Sequence, residues 1–333
     1  MAKRLLVIGS GFHRHVLKGS CSPLCSWSDL LINIANYAKI FLPTHLLNHP
    51  TSAWEYLVLK YVENKPSLSA ANAELALKKI AAHIIAFEEK TQAKHYSKSP
   101  LSNNLYRILI DEGIHLVNFN FDRLSYIKKA TIEKLRNNKL IKNKKNEFGE
   151  ARKSDLVLLH RRIKLGFLDY GINSDSVIWH PHGCVDMPDT IRMGLRDYGM
   201  MPSYYIKAFN YFKAWQRKVL DRESSNRNPI TARDHIRLIK QLEIMDSNSS
   251  KLSFEPADNW VTRFMLLPVS LIGIGLSVDE FGLRWLLVQR ARNLARIRSS
   301  ASKVVLYGIQ DVPQGVLCKS FIDWESAWEA ALE

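Results

Sequence analysis

Apolar positions along this chain follow two rhythms. Short runs at residues 5–8, 114–117, 176–179, 266–273 and 303–307 are almost wholly apolar, the composition of strands buried on both faces. Between them, over 27–41, 51–62, 68–92, 204–221, 231–245 and 279–299, apolar residues recur at helical spacing and predict amphipathic helices. The stretch Ala70-Ala71-Asn72-Ala73-Glu74-Leu75-Ala76 is rich in helix formers, and Thr231 reads as an N-cap. Residues 123–143 read as a basic helix. Strands alternating with helices predict an α/β fold, a Rossmann-like parallel sheet with helices on both faces. Roughly a hundred residues separate the first two strands, far beyond an ordinary crossover, so that connection must carry a helical module of its own. The polar stretches 221–229 and 246–250 read as loops, either of them a candidate flap.

With 333 residues, 46% of them hydrophobic, the chain can bury a substantial core in one large domain or two ordinary ones. The apolar run at 266–274 is too short to cross a bilayer. The run after Lys3 and Arg4 is too brief for a signal peptide and enters Gly9-Ser10-Gly11 directly, so it reads as a first strand. Cysteines at 21, 25, 184 and 318 form no disulfide framework, and a reduced, cytoplasmic setting is expected. Net charge is +15, and residues 128–164 hold 13 Lys and Arg against 4 Asp and Glu. That segment could meet nucleic acid or an acidic partner. It lacks the interleaved aromatics of a single-strand surface, so a solvated basic insertion is the favoured reading.

Chemistry concentrates where strands end. Ile114-His115-Leu116-Val117 runs into Asn118-Phe119-Asn120-Phe121-Asp122, a buried strand that turns abruptly polar at its carboxyl end. Open α/β sheets present ligand-binding groups in this way. Gly9-Ser10-Gly11 follows the first strand, where glycines let backbone N–H groups approach phosphate, and His13, Arg14 and His15 either add positive charge near a diphosphate or lie exposed to solvent. In Trp179-His180-Pro181-His182-Gly183-Cys184, His182 stands beside an open glycine backbone, an arrangement suited to a general base. His180, His182 and Cys184 alternate, but the chain offers no four-ligand zinc spacing and no metal site is expected. Gly273-Ile274-Gly275-Leu276-Ser277 makes a second glycine turn after the fourth strand. Two glycine turns, an amide-rich strand end and a His-Gly pair on one sheet edge are what a dinucleotide crevice requires.

The ordered set Gly9-Ser10-Gly11, Trp27-Ser28-Asp29-Leu30-Leu31, Asn118-Phe119-Asn120-Phe121-Asp122, His182-Gly183 and Gly273-Ile274-Gly275-Leu276-Ser277 resembles the SIR2-like proteins. More narrowly it is similar to the bacterial SIR2-like NAD-cleaving proteins of anti-phage defence, as is Arg196-Asp197-Tyr198 after the His-Gly pair. The resemblance spans nearly the whole chain and implies one SIR2-like domain over 1–333, with helical insertions at about 27–112 and 203–262 and a basic segment at 123–165. It places Asn120 and His182 as catalytic residues, with Asp122 beside the ribose. Gly9, Ser10 and Gly11 fall on the first phosphate turn, and Gly273, Gly275 and Ser277 on the second nucleotide-contacting turn. The paired Cys-x-x-Cys motifs and the Gly-x-Pro-Asp-Phe-Arg segment of protein-deacylating sirtuins are missing, and Phe119 stands where the family has a small or polar residue.

The resemblance therefore implies an NAD+ glycohydrolase that breaks the nicotinamide–ribose bond and depletes NAD+ during abortive infection. Asn120 would hold a water or a ribose hydroxyl, His182 would take its proton, and Asp122 would favour the developing charge. Two alternatives remain: an NAD-dependent deacylase of sirtuin type, and a non-catalytic nucleotide-binding subunit that signals to a partner. Uncontrolled NAD+ loss would kill the host, so a regulatory partner protein is expected to gate the activity. A homo-oligomer is compatible with the same reading.

Overall fold

The computed structural model describes residues 4–17, 22–102, 105, 114–122, 162–164, 177–221, 229–248, 256–274, 280–297, 304–307 and 318–321, together with 313, 316, 323 and 326. Among the described residues seven strands build one sheet: β1 (Leu5–Ile8), β2 (His115–Asn118), β3 (Arg162–Lys164), β4 (Val177–Trp179), β5 (Val269–Ile272), β6 (Val304–Tyr307) and β7 (Cys318–Phe321). Their order is β3-β4-β2-β1-β5-β6-β7, and every neighbouring pair is parallel except β3 with β4. Taken in chain order, the six mutually parallel strands lie 3-2-1-4-5-6. That is the doubly wound order of Rossmann-like sheets, in which winding reverses at the first strand.

Eight α-helices flank the sheet among the described residues: α1 (Ser10–Val16), α2 (Trp27–Ala38), α3 (Pro50–Asn64), α4 (Ala70–Lys98), α5 (Leu195–Leu220), α6 (Ala232–Asn248), α7 (Trp260–Leu266) and α8 (Phe281–Asn293). The inner strands β1, β4, β5 and β6 are mainly apolar, as strands with both faces covered are. Leu6 and Ile8 pack with α2, α3 and α4 on one face, while Leu5 and Val7 pack with α5, α7 and α8 on the other. Strand geometry alternates the side chains between these two cores. Between β1 and β2 the chain does carry a module of three long helices, as the length of that crossover required.

Local chemistry fixes where helices begin. The Ser26 hydroxyl accepts from the Asp29 N–H at 3.0 Å and donates to its carboxylate at 2.7 Å, which caps α2 and sets Trp27 as its first residue. The Thr231 hydroxyl accepts from the Asp234 N–H at 3.2 Å, the N-cap expected from the sequence.

Several expectations change. The apolar run at 266–273 is not one strand, since its first residue closes α7 and β5 begins at Val269. The fifth helix starts at Leu195, nine residues earlier than its apolar periodicity suggested. Strands β3 and β7 lie at the sheet edges, and the polar composition of Cys318-Lys319-Ser320-Phe321 hid the second of them. The polar stretch at 246–250 is not a loop from its start: α6 runs to Asn248, and Asp246 is buried against the Arg263 guanidinium and, at 3.1 Å, His115. A polar sequence thus conceals a buried ion pair that closes the α6–α7 corner over Trp179, with the Arg263 guanidinium 4.9 Å from that ring. The basic segment at 123–165, the helix expected at 123–143 and most of the 221–229 stretch lie outside the described residues, apart from β3. Among the described residues no helix is long and apolar enough to cross a membrane.

Candidate active site

The reversal of winding at β1 leaves a crevice beyond the carboxyl ends of β1 and β5, where such sheets bind ligands. The register carries four chain segments to that rim. Ile8 pairs with both Asn118 and Ile272, and Val117 pairs with Trp179. The turns after β1, β2, β4 and β5 therefore emerge side by side. A cavity of about 110 Å³ opens among them, lined by Gly9 and Ser10, by Phe119 to Asp122, by His182 and Tyr198, and by Gly273, Ile274 and Glu280. Helix α2 supplies Trp27 and Leu30 to the opposite wall.

The glycine turns hold each other. The Gly9 N–H donates to the Ile272 carbonyl at 3.1 Å, and the Gly11 N–H donates to the Gly273 carbonyl at 2.9 Å. A Cβ on Gly11 would stand 2.5 Å from the Gly273 Cα, and Gly273 has φ +66°. The glycines here serve backbone-to-backbone contact across the crevice, and the Gly11 N–H, which the sequence reading offered to a phosphate, already has a protein acceptor. Gly275 and Ser277 lie outside the described residues.

After β2 the polar segment is held by its own side chains. The Asn118 amide donates to the Asp122 carbonyl and carboxylate, both at 3.2 Å, while its oxygen accepts the Asn120 N–H at 3.0 Å. This folds Phe119-Asn120-Phe121 outward from the sheet. Phe119 is buried in one core and Phe121 in the other, and Asn120 is left between them at the cavity. Among the described residues the Asn120 Nδ2 has no hydrogen-bond partner, a donor that a ligand oxygen can take up.

His13 is not a solvent-exposed contributor to a phosphate site but a fully buried residue of α1. Its Nε2 lies 3.2 Å from Asp122 Oδ1 and its Nδ1 lies 2.5 Å from the Tyr96 hydroxyl on α4. Burial alone would push the Asp122 carboxyl up. The His13 ring, aided by the Asn118 amide, outweighs this and holds it below its ordinary range. An ionised carboxylate only accepts hydrogen bonds, so His13 must carry its proton on Nε2. Asp122 thus spends its carboxylate on His13 and Asn118, and the chain from Tyr96 to Asn120 ties the helical module to the site.

His182 is 3% exposed, and burial, reinforced by the Arg192 charge, pushes its pKa down to about 4. The ring is therefore neutral at physiological pH. Phe119 packs edge-on against it at 4.8 Å between centroids, and the Tyr198 hydroxyl lies 3.3 Å from Nδ1. Gly183 beside it is not an open stretch of backbone: it has φ +93°, and a Cβ there would stand 2.1 Å from the Thr190 carbonyl oxygen. The turn is pinned further by the Val185 N–H on the Phe121 carbonyl at 2.9 Å and the Arg192 N–H on the His182 carbonyl at 2.9 Å. His180, 2% exposed, faces the Asn120 carbonyl at 3.5 Å and is also kept below the usual histidine pKa by burial.

One residue before Tyr198, the Asp197 carboxylate takes Lys78 of α4 at 2.9 Å and Arg192 at 2.8 Å. Burial would raise its pKa, and these two cations, Lys78 foremost, bring it below the ordinary value. Sequence reading missed Trp27, Tyr198 and Asn118 as members of the site and gave His13 another role, positive charge near a diphosphate. Trp27 and Tyr198 stood in the motifs that carried the resemblance, and Asn118 opened the polar strand end.

No protein-family model, curated protein or solved structure matches this chain. The functional reading therefore rests on the residues around the crevice.

Proposed function

We propose that this crevice binds NAD+ and hydrolyses its nicotinamide–ribose bond. The observation that carries the reading is the meeting of Asn120 and His182 in one cavity at the switch point of a doubly wound sheet, flanked by two glycine turns. Their order along the chain, which resembles that of SIR2-like NAD-cleaving proteins, supports the same assignment. Switch-point crevices of this topology suit dinucleotides. Asp122 and Glu280 are the charged side chains among the described lining residues, and they favour a cationic pyridinium over a further phosphate.

In the proposed reaction the C1′–N bond breaks and its electron pair leaves with nicotinamide, which departs neutral. The ribose passes through an oxocarbenium-like state. The Asn120 Nδ2 donates to a ribose hydroxyl or to the attacking water and fixes its position. His182, neutral and lining the same cavity as Asn120, takes the proton that water gives up as its oxygen joins C1′. ADP-ribose, nicotinamide and a proton are the products. Asp122 contributes by holding Asn118, and hence Asn120, in place. Gating by a separate regulatory protein belongs to the same proposal, as does a role in anti-phage defence.

The test is incubation of purified protein with NAD+, alone and with the products of neighbouring genes, while following nicotinamide. Release that disappears in Asn120→Ala and His182→Ala, with both variants folded, supports the proposal. Undiminished release by both variants, or nicotinamide formed only with an acyl-peptide and accompanied by acylated ADP-ribose, overturns it. Tight NAD+ binding with no release under any of these conditions would point instead to a nucleotide-binding signalling subunit.

A further inference from the structure

Tyr198 is set firmly against the candidate base. Its ring meets Trp27 edge-on at 5.3 Å and 85°, and meets the His182 ring at 5.4 Å and 63°. Its hydroxyl lies 3.3 Å from His182 Nδ1, the one hydrogen bond of that imidazole among the described residues. Phe119 and Tyr198 together fix the ring, and the Asp197 contacts to Lys78 and Arg192 hold the start of α5 from which Tyr198 projects.

A neutral imidazole carries one N–H and one lone pair, and which nitrogen holds the proton decides whether it can act as a base. A tyrosine hydroxyl can serve either arrangement. If it donated to Nδ1, the proton would sit on Nε2, for which the described residues offer no acceptor. The opposite arrangement satisfies the N–H and leaves only a lone pair open.

We propose that Tyr198 is a positioning residue that selects the tautomer of His182: its hydroxyl oxygen accepts from Nδ1–H and keeps the lone pair on Nε2. The catalytic half of this inference rests on the proposed reaction, in which Nε2 receives the proton from water. The tautomer itself does not depend on that reaction.

The experiment uses full-length protein labelled with 15N-histidine, wild type and Tyr198→Phe, with His182→Gln to assign the ring signals. Tyr198 is only half-buried, so the phenylalanine variant keeps the ring packing and loses the hydroxyl. At pH 7 the wild-type His182 should show a pyrrole-type Nδ1 and a pyridine-type Nε2, and the variant a mixture of both tautomers. In the nicotinamide assay kcat should fall about 2- to 10-fold with KM unchanged, the order expected when a base spends part of its time in the wrong tautomer. A wild-type ring protonated on Nε2, an unchanged tautomer in Tyr198→Phe, or a rise in KM with unchanged kcat each overturns the inference. A wild type with the expected tautomer but no nicotinamide release overturns the proposed reaction while leaving the role of Tyr198 in tautomer selection standing.

Discussion

Gly11 and Gly273 meet across the crevice with the N–H of the first 2.9 Å from the carbonyl oxygen of the second. The contact locks the β1 and β5 turns together at the point where the sheet reverses direction. A side chain at Gly11 would enter the Gly273 backbone, 2.5 Å from its Cα. Gly11→Val is therefore expected to act on stability first, by about 2 kcal/mol or more, within the range of overpacked sites. Denaturant unfolding of the purified variant measures it. Wild-type stability combined with weakened NAD+ binding would show that the glycine serves the ligand and not the turn.

His13 joins α4 to the strand end through Tyr96 and Asp122. Taking a hydrogen-bond donor away from a buried carboxylate costs about 3 kcal/mol. His13→Ala should show a loss of this size. His13→Gln, whose amide can stand in for the Nε2–H, should recover a good part of it. Equal losses in the two variants, seen as equal shifts in urea midpoint, would mean that ring packing matters and the hydrogen bond does not.

The depressed pKa of His182 makes stability depend on pH in a definite direction. The folded state holds this histidine at about 4, against 6.5 for an unperturbed one, so between these values the unfolded chain binds the extra proton. Its contribution is fully present above 6.5 and is lost as pH falls towards 4, by roughly 3 kcal/mol in total. His180 is displaced in the same direction. Urea unfolding of wild type and His182→Gln between pH 7 and pH 4.5 should show a flatter profile in the variant, and parallel profiles would contradict the shift.

Lys78 is 5% exposed and reaches both Asp197, at 2.9 Å, and Glu74, at 2.6 Å. Lys78→Met should destabilise the fold by about 3 kcal/mol, because Asp197 would stay buried with Arg192 as its remaining cation among the described residues. Since Asp197 precedes Tyr198, nicotinamide release should fall as well. A variant as stable as wild type in a thermal melt would show that the pair is neutral overall.

Much of the sheet was legible because β1, β2, β4, β5 and β6 are mainly apolar, with His115, Asn118 and Ser270 as their polar exceptions. The edge strands β3 and β7 were not, since an edge does not demand a wholly apolar sequence. The candidate site was legible where polarity broke out of an apolar run, as at Asn118-Phe119-Asn120-Phe121-Asp122. It was illegible where a polar side chain is buried by partners far along the chain: His13 looked like surface charge until Tyr96 and Asp122 were seen to enclose it. Asp246 looked like loop for the same reason, its partners being His115 and Arg263.

Taken alone, the sequence determined the α/β class, the helical module between the first two strands, and the strand-end residues Asn120 and His182 as the groups to examine, because hydrophobic periodicity and polar strand ends are local properties. Tertiary structure alone decided the strand order that creates the crevice, the use of the glycines as backbone contacts, and the enclosure of His182 by Phe119 and Tyr198. Those features arise from pairings between residues tens to hundreds of positions apart, and no local pattern encodes which distant partner a buried polar group will find.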